Sequence, residues 1–576
     1  MITVALLAMQ VYAQHDEQVT VEGKYRPKVN RVDKLKLNPQ TPVPTYVMPS
    51  TEVHPKEANQ KFALDLEKLS PTAFASKDDK LVTPTKNFLM AGMGTRLSPV
   101  FLYKHNSMLT NTLGLGIGIK HNSSWLNMKD YAPSSYMNNA FDVNLTTSYF
   151  TGVQLNIGAY YKNDMFHYYG VNLVETPLTE EQIELFCPRH TYNTIGTHLG
   201  LASASTRLGE LSHSGDLNYH YTFDNTYARE HFVDVAYGLG YTQKWWGDKS
   251  HPQKIGVDLA FQYEYFETSH LVAELPVAGR SDLFLFKVNP FFEMSGEFYK
   301  LHLGVRLDGV NRVQNEDKFL AVRPDVSGSL FVLNKKLEFY AGVNGGRKLT
   351  TYSGIINENP FVGCEYPLLA QNVKMGFDGG VRTNIAEIVD LHLGVRYRHT
   401  DNDALYNTDD YNIDYVFDYT QSDVVFNKFT LVYDEIRTVS VLADVRVKMR
   451  NSLTADVGFA YNNCNPANEE YAWYRPTTEG KLKLTYDLND KLALHGSFLY
   501  QGGRYAKVVE FGHQGLTYST QKLKDVLDLS LGADYKVNDQ ITAFGLLDNV
   551  LCQKYQLYYN YPVTGIQFYA GVKLKF

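Results

Sequence analysis

The chain has 576 residues, is 13% aromatic and 20% charged, and carries a formal net charge of −7. That balance argues against a general nucleic-acid binder, and no apolar run approaches the ~20 residues a membrane-spanning helix needs. It leaves a β-barrel open, because barrel strands alternate and hide from average hydropathy, and the 42 Tyr, 31 Phe and 42 Gly suit strands with bulky faces and tight turns.

Residues 1–13 read as a secretory signal, with a short apolar core from Val4 to Met9 and a small-x-small site at Val11, Tyr12 and Ala13; the positive leading region of such signals is missing. From 14 to 86, prolines such as Pro27, Pro39, Pro44, Pro55 and Pro71 interrupt every candidate element, so this stretch reads as an extended arm. Its basic run, including Lys24, Arg26, Lys28 and Arg31, is either a solvated face or a docking strand for a partner protein.

Residues 87–576 are a long succession of alternating segments. Phe141, Val143 and Leu145 oppose Asp142, Asn144 and Thr146; Ile255, Val257, Leu259 and Phe261 oppose Gly256, Asp258, Ala260 and Gln262. This is the period-2 pattern of strands with one apolar face. Tight polar connections at "LNKKL" (333–337), "MRNSL" (449–453), "LNDKL" (488–492) and "VNDQI" (537–541) alternate with long loops at 163–190, 350–370, 400–428 and 501–521. Short and long rims are the mark of an outer-membrane barrel. Counting strands of the length a tilted crossing needs predicts about 22, or about 20 if the weak first pair is left out.

The face opposite the apolar stripe carries Arg306, Asp308, Arg396, Arg398, Asp444, Arg446, Lys448, Asp528, Asp534 and Lys536. A packed sandwich could not hold so many charges, whereas a wide aqueous lumen can. His220, His302, His392 and His495 fall on that face and read as lumen residues; no Gly-x-Ser-x-Gly appears, and neither a catalytic set nor a cofactor site is expected. Tyr160-Tyr161, Tyr168-Tyr169, Trp245-Trp246 and Tyr558-Tyr559 sit at strand ends like interfacial girdles. Cys187, Cys364, Cys464 and Cys552 fall near the long-loop rim, where an oxidising compartment permits disulfides without choosing a pairing. Asp401, Asp403, Asp409, Asp410, Asp414 and Asp418 read as a solvated acidic loop, with loop calcium as the sharper alternative.

The stretch "FGLLDNVLCQKYQLYYNYPVTGIQFYAGVKLKF" resembles the last two strands of TonB-dependent outer-membrane receptors. The resemblance rests on Asp548-Asn549, Lys554-Tyr555, Tyr561-Pro562, Gly565 and the final Phe576. It implies an all-β, antiparallel, up-and-down transmembrane barrel in the Gram-negative outer membrane, with the N-terminal arm in the periplasm and lipid around it. Phe576, with Phe568 on the same stripe, is similar to the signal by which such barrels are handed to their insertion machinery. Two departures stand out: Ile566 replaces a commonly basic residue, and the arm is too short and Pro-broken for the family's globular plug. The chain therefore looks like a plug-less relative, similar to barrels of Bacteroidetes type, in which plug-driven import is in doubt. A transport or receptor role is expected; the alternative is a structural or accessory subunit of an outer-membrane assembly or secretion complex, docking periplasmic or outer-membrane partners through its arm.

Overall fold

The period-2 segments are strands, and they close on themselves. The computed structural model describes residues 85–150, 152–203, 208–246, 251–272, 275–311, 319–364, 366–409, 425–449, 452–512 and 515–576. Each barrel strand pairs antiparallel with its sequence neighbour in a 22-stranded sheet, and Asn87–Gly94 pairs with Gln567–Lys575 to seal the ring. Phe88 lies opposite Lys575, and Asn87 and Phe576 exchange backbone hydrogen bonds of 2.8 and 3.1 Å, so the first and last strands of the barrel sheet pair with each other instead of leaving an edge at the seam. Both expected weak strands, Asn87–Gly94 and Ser98–Met108, are present. The signal and nearly all of the basic arm lie outside the described residues, and so do Asp410, Asp414 and Asp418.

Alternation sorts the side chains by face. Phe141, Ile195, Phe261, Leu303, Phe339 and Val441 point outward and are exposed, a costly surface in water and a fitting one in lipid. Asp216, Asp258, Lys481 and Lys483 have the opposite parity and are exposed to the lumen. At the tight rim, two turns use the same device: the Asn489 carboxamide oxygen accepts from Lys491 N and Leu492 N at 2.9 Å, and that of Asn538 accepts from Gln540 N and Ile541 N at 2.9 and 2.8 Å. These are side-chain-closed turns of the kind Asn favours.

On the outer surface the change from apolar to polar is sharp. Ile119, Phe141, Tyr161 and Ile195 lie side by side in register on adjacent strands. One step nearer the long-loop rim lie His121, Asn139, Asn163 and Asn193. There His121 Nδ1 donates to Asn139 at 2.7 Å, Asn139 to Asn163 at 3.3 Å, and Asn163 to Asn193 at 2.8 Å.

The wall is uneven in height. Strands at the seam, such as Asn87–Gly94 and Ile541–Asp548, have 8 residues, whereas Leu275–Ser295 and Phe429–Met449 have 21. The inner face of the seam carries a small apolar cluster of Met90, Val100, Leu102, Phe544 and Tyr569. Gly94 is needed there, because a Cβ would fall 2.4 Å from the Tyr569 ring.

Two expectations are corrected. The stretch from Thr400 to Thr408 is not loop but the upper part of strand Val389–Thr408, re-aimed by a bulge after Thr400 in which Asn402 takes φ 50°. Of the aromatic pairs, Tyr161, Trp245 and Trp246 are exposed as a girdle requires, but Tyr168, Tyr169 and Tyr558 are buried. The last group belongs to a core above the lumen.

Candidate functional site

The long loops turn inward and share one hydrophobic core. Tyr169, Phe186, Tyr352, Phe361, Phe429, Trp473, Val508, Tyr558 and Tyr561 all belong to it. Phe361 precedes the fourteenth barrel strand and stacks on Tyr561, which precedes the last, with ring centroids 3.7 Å apart; it also meets Phe166, on the fifth strand, edge-on at 5.4 Å. Fifth and fourteenth strands stand almost opposite on a ring of 22, so these side chains can meet only by crossing the mouth. Each such ring pair adds about 0.5–1.5 kcal/mol beyond its buried area.

Hydrogen bonds fasten the loops together. Tyr169 Oη donates to Pro562 O at 3.1 Å and Tyr558 Oη to Glu358 O at 2.9 Å; Tyr561 Oη donates to Asn427 O, whose own Nδ2 donates to Tyr168 O and Phe186 O at 2.9 and 2.8 Å. Burial pushes the phenols of Tyr169, Tyr558 and Tyr561 well above their ordinary range, so they stay protonated donors. Arg475 forks onto Asp403 at 2.7 and 2.8 Å.

Two short helices brace this lid. The first, Glu180–Phe186, begins with a capping box in which Thr179 Oγ1 accepts from Gln182 N and Gln182 Oε1 accepts from Thr179 N. The second, Tyr352–Glu358, is capped by Thr351, which accepts from Gly354 N at 3.0 Å. Its other first-turn amides reach the barrel wall: Tyr352 N donates to Glu264 at 3.1 Å and Ser353 N to Glu230 at 3.0 Å. Both carboxyls are 0% exposed, and His220 Nε2 lies 3.2 Å from Glu230 and 2.9 Å from Ser353 Oγ. The wall thus satisfies helix-end donors that would otherwise be orphaned.

Beside this helix is a cavity of about 60 Å³ lined by Tyr168, His190, Asp224, Tyr352, Asp409 and Lys428, among others. Asp224 accepts from Thr226 N, Ala228 N, Thr226 Oγ1 and Tyr352 Oη, all at 2.8 Å, and faces His190 Nε2 at 3.3 Å.

Below the lid the lumen wall carries ion pairs. Arg396 and Arg398 clasp Asp378 at 2.7 and 2.8 Å, Arg306 meets Asp325 at 2.7 Å, and Asp308 takes Arg323 at 2.6 Å and Arg347 at 3.6 Å. Each expected lumen histidine faces a carboxylate: His220 and Glu230, His302 and Glu293, His392 and Asp444, His495 and Asp534.

The remaining sequence candidates scatter. All four cysteines are free thiols, so the disulfides that the compartment permits are not formed; Cys187 is buried in the lid, Cys464 lies within strand Leu453–Pro466, and Cys552 is exposed. Of the acidic stretch, the described aspartates go to different places: Asp403 is forked by Arg475, Asp401 meets Lys374 at 2.7 Å, and Asp409 lines the cavity. His399, Asp401 and Glu435 lie within 4.8 Å of one another on the outer surface, with Lys374 Nζ also 3.3 Å from Glu435. Phe568 and Phe576 are exposed on the outward stripe of the last strand.

The latch residues Glu230 and Glu264, and the pair His190 and Asp224, are absent from the sequence expectations. A carboxylate on an inward position looks the same whether it meets water or a loop.

No protein-family model matches the chain, and no curated protein matches it in sequence. Solved structures do match in fold. The ferric-catecholate import receptor Fiu of E. coli K12 superposes with a TM-score of 0.61 at 10% identity, covering 85% of this chain and 82% of that one. The pyoverdine outer-membrane receptor FpvA of Pseudomonas aeruginosa gives 0.62 at 12%, covering 86% and 79%, and the copper transporter OprC gives 0.56 at 12%, covering 85% and 81%.

Proposed function

We propose that this protein is an outer-membrane barrel of the TonB-dependent-receptor type, with its N-terminal arm in the periplasm, acting as a gated receptor or transporter. The observation that carries the reading is the pairing of a closed 22-stranded wall, apolar outside and charged within, with long loops whose described residues pack into one core across the mouth. A permanently open diffusion pore has no use for such a lid; a barrel that admits a ligand on demand does. The similarity in fold to siderophore and copper receptors supports transport, and the neighbours' cargoes are not carried over. Whether a plug is lacking concerns residues 1–84, outside the described part.

The loop core across the mouth also favours a second reading, a scaffold subunit whose basic arm, with Lys24, Arg26, Lys28 and Arg31, docks periplasmic or outer-membrane partners. Planar-bilayer recording combined with copurification from mildly solubilised membranes separates the two. Stepwise conductance that appears when lid contacts are cut, in a barrel purified without stoichiometric partners, is expected for the gated transporter. A barrel that stays sealed and carries stoichiometric partners overturns it.

A further inference from the structure

The inner face of the seam is apolar, which an aqueous lumen does not call for. Met90, Val100, Leu102, Phe544 and Tyr569 form one cluster across the first two and last two barrel strands. Among the described residues, the other apolar side chains packed on it are Phe88 and Leu546, from the same wall, and the lid core is a separate cluster.

Side chains on one face of a sheet touch at their flanks, and their tips stay open unless another layer packs on them. Inward side chains elsewhere on the wall follow that rule: Asp216, Asp258 and Lys481 are exposed. At the seam, Met90 is 1%, Leu102 3% and Phe544 6% exposed. Lys573, opposite Met90, is 3% exposed although its Nζ reaches only Asp534, at 2.6 Å. The strip has the burial of a covered surface.

Position and length narrow the cover to the chain itself. Lys86 O accepts from Asn106 N at 2.8 Å, so the backbone enters the barrel at the foot of the strip. Shortly upstream, "KFALDLEKL" at 61–69 puts Phe62, Leu64 and Leu66 on one side and Ala63, Asp65 and Glu67 on the other. In extended chain the three apolar side chains span about 13 Å, close to the width of four strands about 4.8 Å apart. The 18 residues between Leu66 and Thr85 reach up to about 60 Å, ample for doubling back, and closing a loop of that length costs little more than closing a shorter one. Asp65 and Glu67 would face the lumen in the field of Lys120, Lys536 and Lys575, inward lysines that bracket the strip.

We propose that residues 61–69 of this chain seat across the inner face of the seam, with Phe62, Leu64 and Leu66 against Met90, Leu102 and Phe544. The strap backs the closing strands, only 8 and 9 residues long, from within, and narrows the lumen beside them.

Disulfide trapping in the full-length protein tests this. Leu64→Cys with Leu102→Cys should give an intramolecular crosslink on mild oxidation, identified by mass spectrometry of the joined peptides. Leu64→Cys with Ser327→Cys, on the twelfth strand across the ring, should not. Phe62→Asp with Leu66→Asp should abolish the first crosslink. A second measurement leaves the wall untouched and covers the case in which Leu102→Cys fails to give a heat-modifiable barrel. Tryptic cleavage after Lys68, read as an initial rate, should be slow in the wild type and at least about tenfold faster when Phe62, Leu64 and Leu66 are all changed to Asp. Equal crosslinking to both walls, no crosslink in a folded barrel, a product joining two chains, or equal cleavage rates overturns the proposal. The result is independent of whether the lid opens.

Discussion

Glu230 and Glu264, fully buried on neighbouring strands, hold the amides of consecutive residues, Ser353 and Tyr352, at the start of one short helix. The mouth of the barrel is fastened there to its wall. Glu230→Ala leaves Ser353 N and His220 without their shared acceptor, at a cost of about 1–3 kcal/mol for the lost bonds. The expected outcome is faster hydrogen exchange over 352–358 and more frequent opening in planar bilayers, with the wall intact by heat-modifiable gel mobility. Unchanged exchange in that segment would remove the latch from the account.

The stack of Phe361 on Tyr561 draws together loops from different sectors of the ring. Phe361→Ala should destabilise the lid by about 3–5 kcal/mol, the usual cost of emptying a buried aromatic site. Conductance should rise while the barrel still resists detergent unfolding without heat. A mouth that stays sealed would show that other contacts carry the closure.

The thiols should differ in reactivity. Cys552 is exposed and should react with a membrane-impermeant maleimide on intact cells, whereas buried Cys187 should react only after denaturation. Burial raises the Cys187 thiol from 9.0 to about 12. Between those values the unfolded chain ionises and the folded one does not, so the stability this group contributes is complete below pH 9 and lost as pH rises through 12. Cys187→Ala should therefore flatten part of the alkaline fall in melting temperature, and an identical pH profile would count against this burial.

Within the lumen, Asp308 is 0% exposed and takes Arg323 and Arg347 from the next two strands. Asp308→Asn keeps the shape and removes the charge, leaving buried guanidinium without its counter-ion at a cost of about 3–5 kcal/mol. The heat-induced gel shift should move to clearly lower temperature. A shift equal to wild type would mean that water replaces the pair without loss.

Phe576 stands 55% exposed beside the closing pair of strands. Phe576→Asp puts a charge on the outward stripe and should lower the fraction of heat-modifiable barrel in outer-membrane preparations. Full yield would dismiss both the lipid contact and the proposed handover to insertion machinery.

Most of the wall was readable in the sequence because a strand between oil and water must alternate, and each segment from Phe141 to Leu574 declares its faces. Turn chemistry was equally plain at Asn489 and Asn538. The lid was not readable, for a physical reason: aromatic side chains at strand ends serve a membrane interface and a loop core equally well. Trp245 fell to one and Tyr168 to the other, with nothing local to tell them apart. The latch was hidden for a related reason. Glu264 and Asp258 share one strand and the same inward parity, yet Glu264 meets a helix and Asp258 meets water. Loop trajectories made that difference, and they depend on contacts far apart in the chain.

The linked amides of Asn139, Asn163 and Asn193 act as a depth gauge for the molecule. Side chains that satisfy one another across strands gain little from being drawn down among acyl chains, and the row of Ile119, Phe141 and Ile195 just beneath would lose by being lifted out. Together they pin one sector of the wall at a fixed level. The 8-residue strands of the seam must share that level, so the bilayer has least height to cover beside Asn87–Gly94, and lipids there are asked to thin or tilt.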